Sequence, residues 1–221
     1  MIKDKIHFNP PKRHWVLDGC SLDNFNAKLP LEKKTLAFMR EIDKDSPLGA
    51  YIYGGFGNGK THLLVGIARN LKQGKRRVAY ANGRNGEFLG IIQDSLYDYV
   101  PENPLTKSQV LIIDDMDIKD NSLAQSELLY RLLLEQYDKG HPLIISSNYS
   151  PEDLVKKMKV KADEEIIQGG INTKVLDRFK GDKELQECIL ERLLSMCLFI
   201  DFRNIPSKRK EKQEEYQKRF L

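Results

Sequence analysis

Residues 54–61 read Gly54-Gly55-Phe56-Gly57-Asn58-Gly59-Lys60-Thr61, a complete GxxxxGK[ST] pattern. Phosphate binding needs each fixed position. Glycines let backbone N–H groups turn inward around a β-phosphate as an anion-binding nest. The lysine reaches the β- and γ-phosphates, and the hydroxyl after it ligates Mg²⁺. Working outward, Ala50-Tyr51-Ile52-Tyr53 is a short apolar strand that runs into the loop. Beyond it, Lys60–Lys72 has helical spacing, with Leu63, Leu64, Ile67, Ala68 and Leu71 on one side. That helix points its positive end at the same phosphates. A strand before and a helix after distinguish a nucleotide-binding loop from a glycine-rich surface turn. The expected ligand is a nucleoside triphosphate or its product, ATP/ADP, with Mg²⁺.

Strand-like and helical patterns alternate further along. Arg77–Ala81 reads as a second strand, Phe88–Tyr99 as an amphipathic helix, and Val110–Ile113 as a strand buried on both faces. Ser122–Lys139 reads as a helix stopped by Gly140, and Leu143–Ser147 as a fourth strand. Pro151 opens a helix, Lys183–Met196 is helical, and Cys197–Asp201 is a fifth strand. Such alternation predicts an α/β P-loop NTPase with a five-stranded parallel sheet flanked by helices. Residues 1–25 read as an N-terminal arm, 26–205 as the ATPase core, and 206–221 as a basic C-terminal tail or short helix.

Val110-Leu111-Ile112-Ile113 runs into the paired acids Asp114 and Asp115. Alone, this also describes a strand ending at a solvated turn. Downstream of a full P-loop, Asp114 is assigned to Mg²⁺ through water and Asp115 to orienting the attacking water. The fourth strand ends in Ser146-Ser147-Asn148. Inserted between the strands of the two motifs, it would deliver the Asn148 amide beside the γ-phosphate, to hold water or sense hydrolysis. The alternative is an asparagine that caps the helix from Pro151.

The chain has 221 residues, 40% hydrophobic and 31% charged, enough for one sizeable folded domain. No apolar run is long enough to span a bilayer, and Met1–Trp15 shows no secretory h-region. Three cysteines without a CxxC pair argue against a disulfide framework or zinc knuckle and fit a reducing cytoplasm. The net charge of +4 divides into +6 over residues 1–15 and 206–221 and −2 over the remainder. Basic ends on a near-neutral core suit nucleic acid or an acidic partner, and equally suit simple solubility.

Tyr51-Ile52-Tyr53-Gly54 through Thr61-His62-Leu63, Ile112-Ile113-Asp114-Asp115 and Ser146-Ser147-Asn148-Tyr149-Ser150 resemble the AAA+ ATPases of the DnaC/DnaI/IstB group. The likeness is greatest to bacterial and phage replicative-helicase loaders of the DnaI kind. Lys12-Arg13-His14-Trp15 and Leu22-Asp23-Asn24-Phe25 are similar to the segment that precedes that ATPase core. Ile189-Leu190-Glu191-Arg192-Leu193 resembles the box carrying the arginine finger, and Ser207-Lys208-Arg209 the closing motif. Asp117 stands where the group usually has glycine.

The resemblance implies an AAA+ fold, here with a reduced or absent helical lid. It adds His62 and, in cis, the sensor arginine Arg209 to the nucleotide contacts. It also implies that Arg192 reaches the γ-phosphate held by a neighbouring subunit, so that hydrolysis requires a homo-oligomer; Arg178 is the rival finger. The implied activity is weak ATP hydrolysis, raised by assembly or DNA, in a primosomal protein. Such a protein binds single-stranded DNA, helps load a replicative helicase, and has no membrane partner. Lys72, Lys75, Arg76 and Arg77 are candidate phosphate contacts without sequence specificity, or an ordinary solvated helix end. The alternatives are an IstB-like transposition helper that delivers target DNA to a transposase, a P-loop kinase, and an ATP-gated adaptor that barely turns over. The paired aspartates followed by a polar-ended strand speak against the kinase.

Overall fold

The computed structural model describes residues 19–43, 45–83, 108–118, 123–160 and 178–220. The helix expected over Phe88–Tyr99 and the basic residues of Met1–Trp15 lie outside them. Strands β1 (Gly49–Tyr53), β2 (Val78–Asn82), β3 (Val110–Met116), β4 (Leu143–Ser147) and β5 (Cys197–Asp201) form one parallel sheet. Their order is β2-β3-β4-β1-β5, so β4 is inserted between the strands that carry the P-loop and the paired acids. The described helices are α1 (Pro30–Glu41), α2 (Lys60–Gln73), α3 (Leu123–Lys139), α4 (Pro151–Val155), α5 (Asp182–Met196) and α6 (Lys208–Phe220).

Two-residue alternation along each strand divides the core into two layers. Ala50, Ile52, Val78, Tyr80, Val110, Ile112 and Ile144 face Met39 of α1 and Leu63, Leu64, Ile67 and Leu71 of α2. Tyr51, Ala79, Leu111, Ile113, Leu143 and Ile145 face the other way. They pack against Leu129, Tyr130 and Leu133 of α3, Leu154 of α4, and Leu185, Ile189 and Leu193 of α5. Helices on both faces leave the strands apolar on both sides, which is why β1, β3 and β4 read as continuous runs.

Sequence patterning does not single out α1. Only Glu32, Thr35 and Met39 of its twelve residues are buried, too narrow and too polar a stripe to register as a period. It is started by Pro30 in its first turn and by Glu32, whose carboxylate accepts the backbone N–H groups of Lys28 and Leu29, each at 2.8 Å. Cys20, Leu22 and Phe25, in the segment expected to lead into the core, are buried within it. After β5 the chain turns at Phe202, enters α6, and stays helical to Phe220. None of the described helices is long and apolar enough to cross a membrane.

Phe202 is fully buried in the turn on which the P-loop rests. Phe202→Ala is expected to lower stability by about 3–5 kcal/mol. Urea unfolding should show a lower midpoint at unchanged slope.

Candidate functional site

In a parallel sheet all carboxyl ends lie at one edge, and the strand order brings those of β1, β4 and β3 together there. Gly54, just past β1, donates its N–H to Ser147 at the end of β4, 3.2 Å away. The loop then closes on left-handed backbone at Gly57 (φ 81°) and Gly59 (φ 96°), the second being the residue before α2. A Cβ on Gly59 would stand 2.8 Å from the Phe25 ring. One on Gly54 would stand 2.5 Å from the Phe202 carbonyl carbon. The loop is therefore packed on both sides by chain from outside it. Gly55 and Phe56 form its exposed tip, and Phe56 is 66% exposed.

Lys60 is 7% exposed and lies inside the loop. Its ammonium donates to the carbonyls of Gly54 (2.7 Å) and Gly55 (2.8 Å) and to the side-chain oxygens of Asn58 and Asn148, both at 3.3 Å. Asn58 in turn donates to the Phe202 carbonyl, 3.1 Å away. Asn148 turns its amide nitrogen to the Asp115 carboxylate at 3.0 Å. One amide thus bridges the P-loop lysine and the second acid of β3. The capping alternative for Asn148 is taken up elsewhere: Ser150 caps α4 by accepting the Asp153 N–H at 3.2 Å.

Asp114 is 2% exposed. Its Oδ1 accepts hydroxyl hydrogens from Ser146 (2.6 Å) and Thr61 (3.2 Å), and its Oδ2 accepts that of Tyr80 (3.0 Å). Burial pushes its carboxyl above the ordinary range, and the Ser146, Tyr80 and Thr61 hydroxyls only partly offset this. Tyr80 is placed by register. Asn82 of β2 pairs with Asp114, so Tyr80 is the diagonal neighbour on the same face, within reach of a long side chain. Asp115 is half-buried and has left-handed backbone, φ 57°, and its N–H donates to the Ser146 hydroxyl at 2.9 Å.

The first turn of α6 lies over the loop. The Lys208 N–H donates to the Gly57 carbonyl at 2.9 Å, and the aliphatic stem of Arg209 lies against Gly57. The Lys208 ammonium sits 2.5 Å from both the Glu32 carboxylate and the Asn26 carbonyl and 4.8 Å above the Phe25 ring. Burial alone would raise the Glu32 pKa. The Leu29 N–H, the Lys208 ammonium and the Lys28 N–H outweigh it and hold this carboxyl below its ordinary value. His62 turns its Nε2 to the Ser21 carbonyl (3.0 Å) and the Asn24 side-chain oxygen (2.9 Å), with its ring edge-on to Phe25. Burial, foremost, lowers its pKa.

The fold thus brings Lys60, Thr61, Asp114, Asp115 and Asn148 together, with Arg209 over the loop. The two finger candidates stand in the layer of α3 and α5. Arg192 lies 5.2 Å over the Tyr137 ring of α3, and Arg178 lies 4.5 Å over Tyr130. Lys72, Lys75, Arg76 and Arg77 precede β2 at the amino ends of the strands, the sheet edge opposite the loop. Arg76 is held there by a two-pronged ion pair with Asp43, both contacts at 2.6 Å. Sequence reasoning assigned no role to Tyr80, Ser146, Phe202 or the Lys208–Glu32 pair. Ser146 stands in the Ser146-Ser147-Asn148 end of β4, but its partners follow only from strand register.

Comparison with known proteins bears on the family and the fold. The family described as the bacterial DnaA ATPase domain matches residues 36–173. The chromosomal replication initiator protein DnaA of Geotalea daltonii is 27% identical over 107 residues, 47% of this chain and 24% of that protein. The replicative helicase loader DnaI of Bacillus subtilis is 32% identical over 112 residues, 48% of this chain and 35% of that protein. The chain therefore spans between a quarter and about a third of these curated relatives. A crystal structure of DnaI superposes with a TM-score of 0.60 at 19% identity, covering 91% of this chain and 95% of that one. The DnaC helicase loader gives 0.59 at 19%, covering 86% and 98%. Replication initiator DnaA bound to AMPPCP and single-stranded DNA gives 0.55 at 19%, covering 90% and 55%. These superpositions establish the AAA+ P-loop fold.

The raised pKa of Asp114 has a consequence for stability. Below the ordinary carboxylate pKa both folded and unfolded chains carry its proton. As pH rises the unfolded chain releases it first, so Asp114 subtracts stability as pH climbs through its raised folded pKa. Without nucleotide, Asp114→Asn is expected to be more stable than the parent at pH 7, the gain shrinking as pH falls toward the ordinary carboxylate range. Urea titrations at several pH values would check this, and a less stable variant at pH 7 would contradict it.

Proposed function

The chain belongs to the bacterial DnaA ATPase-domain family, and from that premise we propose an ATP-hydrolysing DNA-replication protein. In this reading it binds ATP with Mg²⁺ and single-stranded DNA and helps load a replicative helicase. The observation that carries the ATPase reading is the Lys60–Asn148–Asp115 bridge, which joins the phosphate-binding lysine to the acid that would face the attacking water. An asparagine so placed registers, in its two hydrogen bonds, any shift of the lysine toward a γ-phosphate.

Each residue then has a task. The amides of Gly54–Gly59 and the Lys60 ammonium cradle the β- and γ-phosphates. Thr61 and Asp114 would hold Mg²⁺; their oxygens stand 3.2 Å apart, and a hydroxyl with a carboxylate suits an ion that keeps most of its ligands as water and phosphate. When bound, the ion neutralises charge on the phosphate oxygens. Asp115 orients the attacking water, with Asn148 fixing its carboxylate. Arg209, lying over Gly57, serves as the cis arginine. The bonds that His62 makes to Ser21 and Asn24 favour a role in seating the N-terminal segment beside the loop over direct contact with phosphate.

Arg192 would act in trans, which makes the working unit a homo-oligomer. It is half-buried on α5, and its Nε is buried without a hydrogen-bond partner among the described residues. In this reading residues 26–205 form the ATPase domain, preceded in the chain by the arm 1–25, whose Cys20, Leu22 and Phe25 are buried in the core, and followed by the basic tail 206–221. Lys72, Lys75 and Arg77 would meet DNA phosphates, Arg76 being engaged by Asp43. The helicase-loading part is supported by the likeness to DnaI, and the cytoplasm is where such a protein would act.

Purified chain is expected to hydrolyse ATP slowly, faster with single-stranded DNA, and Lys60→Ala to reduce the rate to background. Activity that survives Lys60→Ala sinks the assignment. Mixing Arg192→Ala with Lys60→Ala subunits is expected to restore part of the activity. No recovery at any ratio counts against action in trans.

A further inference from the structure

Regular alternation fails at one place in the sheet, and it is the place that carries both acids. Ile112 lies in the layer of α2 and Ile113 in the layer of α3. Continued alternation would put Asp114 toward α2, Asp115 into the apolar layer of Tyr130 and Leu133, and Met116 back toward α2. Instead Met116 is buried in the same layer as Ile113. Asp115 escapes that layer by taking the left-handed φ of 57°. The register records the same event: Ile113 pairs with Ile145 and Met116 with Ser147, so two residues of β3 span one of β4. The one is Ser146, and the step is a β-bulge.

A bulge leaves its extra residue out of the ladder, and a buried N–H without an acceptor is costly. Ser146, 1% exposed, supplies the acceptor. Its hydroxyl oxygen accepts the Asp115 N–H at 2.9 Å, and its single hydrogen goes to Asp114 Oδ1 at 2.6 Å. One hydroxyl therefore joins the backbone of the second acid to the carboxylate of the first. On the other side the Gly83 N–H donates to the Asp114 carbonyl at 2.7 Å. A Cβ there would come within 2.7 Å of Met116 Cα, so the bulge fits only against a glycine.

We infer that Ser146 is a positioning residue that pins this bulge, and that the bulge is what delivers both Asp114 and Asp115 to the nucleotide edge. The inference rests on the assignment of the two acids to the nucleotide site. It predicts that Ser146 governs the metal step and leaves the P-loop's grip on phosphate alone.

Mn²⁺, standing in for Mg²⁺, can be titrated by electron paramagnetic resonance into the full chain with ADP. Ser146→Ala is expected to bind Mn²⁺ about tenfold more weakly, the lower end for loss of a ligand-orienting hydrogen bond. Its affinity for ADP in EDTA should be unchanged. Ser146→Thr, which keeps the hydroxyl, should return close to the parent value. An Ala variant with parental Mn²⁺ affinity, or a Thr variant as weak as Ala, overturns the inference. Should Ser146→Ala not fold, amide hydrogen exchange of the unaltered chain decides: the Asp115 N–H is expected to be protected, and exchange at the rate of an exposed amide overturns the bulge. A parent that fails to bind ADP would defeat the proposed function, whereas the Asp115 amide reads the bulge independently.

Discussion

A carboxylate buried at the end of an apolar strand is tolerated only where donors converge on it, and Asp114 has three. Thr61 comes from α2, Tyr80 from β2 and Ser146 from β4, so the acid requires all three elements in register around β3. The sheet order β2-β3-β4-β1-β5 meets that requirement, with β2 and β4 flanking β3 and the loop after β1 feeding α2. Even so, burial leaves the Asp114 carboxyl raised. A group kept at such cost would gain from a nearby cation, which is what the proposed Mg²⁺ role asks of it.

The loop itself is clamped from two directions. Phe25, from the N-terminal segment, closes on Gly59, and the turn after β5 supports Gly54 and Asn58 through Phe202. The two clamps meet in Lys208, whose backbone bonds Gly57 while its ammonium pairs with Glu32 at the start of α1. Glu32 is 2% exposed, and its engagement by the Lys28 N–H, the Leu29 N–H and the Lys208 ammonium explains why a carboxylate can sit there ionised. Segments separated by some 180 residues in sequence thus share one anchor at the phosphate loop.

Much of this was legible in the sequence, because the P-loop and the strands are local patterns. Continuous apolar runs gave away β3 and β4, and the motif residues Lys60, Thr61 and Asp114 needed only spacing. The insertion of β4 beside β1, and with it the station of Asn148, was foreseen as a condition of the chemistry. Helix α1 was not legible, since three buried residues make no period. Nor was the bulge, because nothing in Asp114-Asp115 shows that one of them will leave the ladder; that follows from Met116 seeking the α3 layer. Tyr80 and Ser146 acquire meaning only once register is known. Arg76 shows the converse, a basic residue in a promising cluster that the fold pairs with Asp43.

The central claim is that binding and hydrolysis divide between the loop and the Asn148–Asp115 pair. Single-turnover hydrolysis of radiolabelled ATP by the parent and by Asn148→Ala, with ATP affinity measured on the same samples, tests it directly. The account predicts similar affinity in both and a rate in the variant lower by about a hundredfold, the scale of a lost catalytic positioning contact. Equal rates in the two proteins, or a variant that loses ATP binding as completely as it loses hydrolysis, would contradict it.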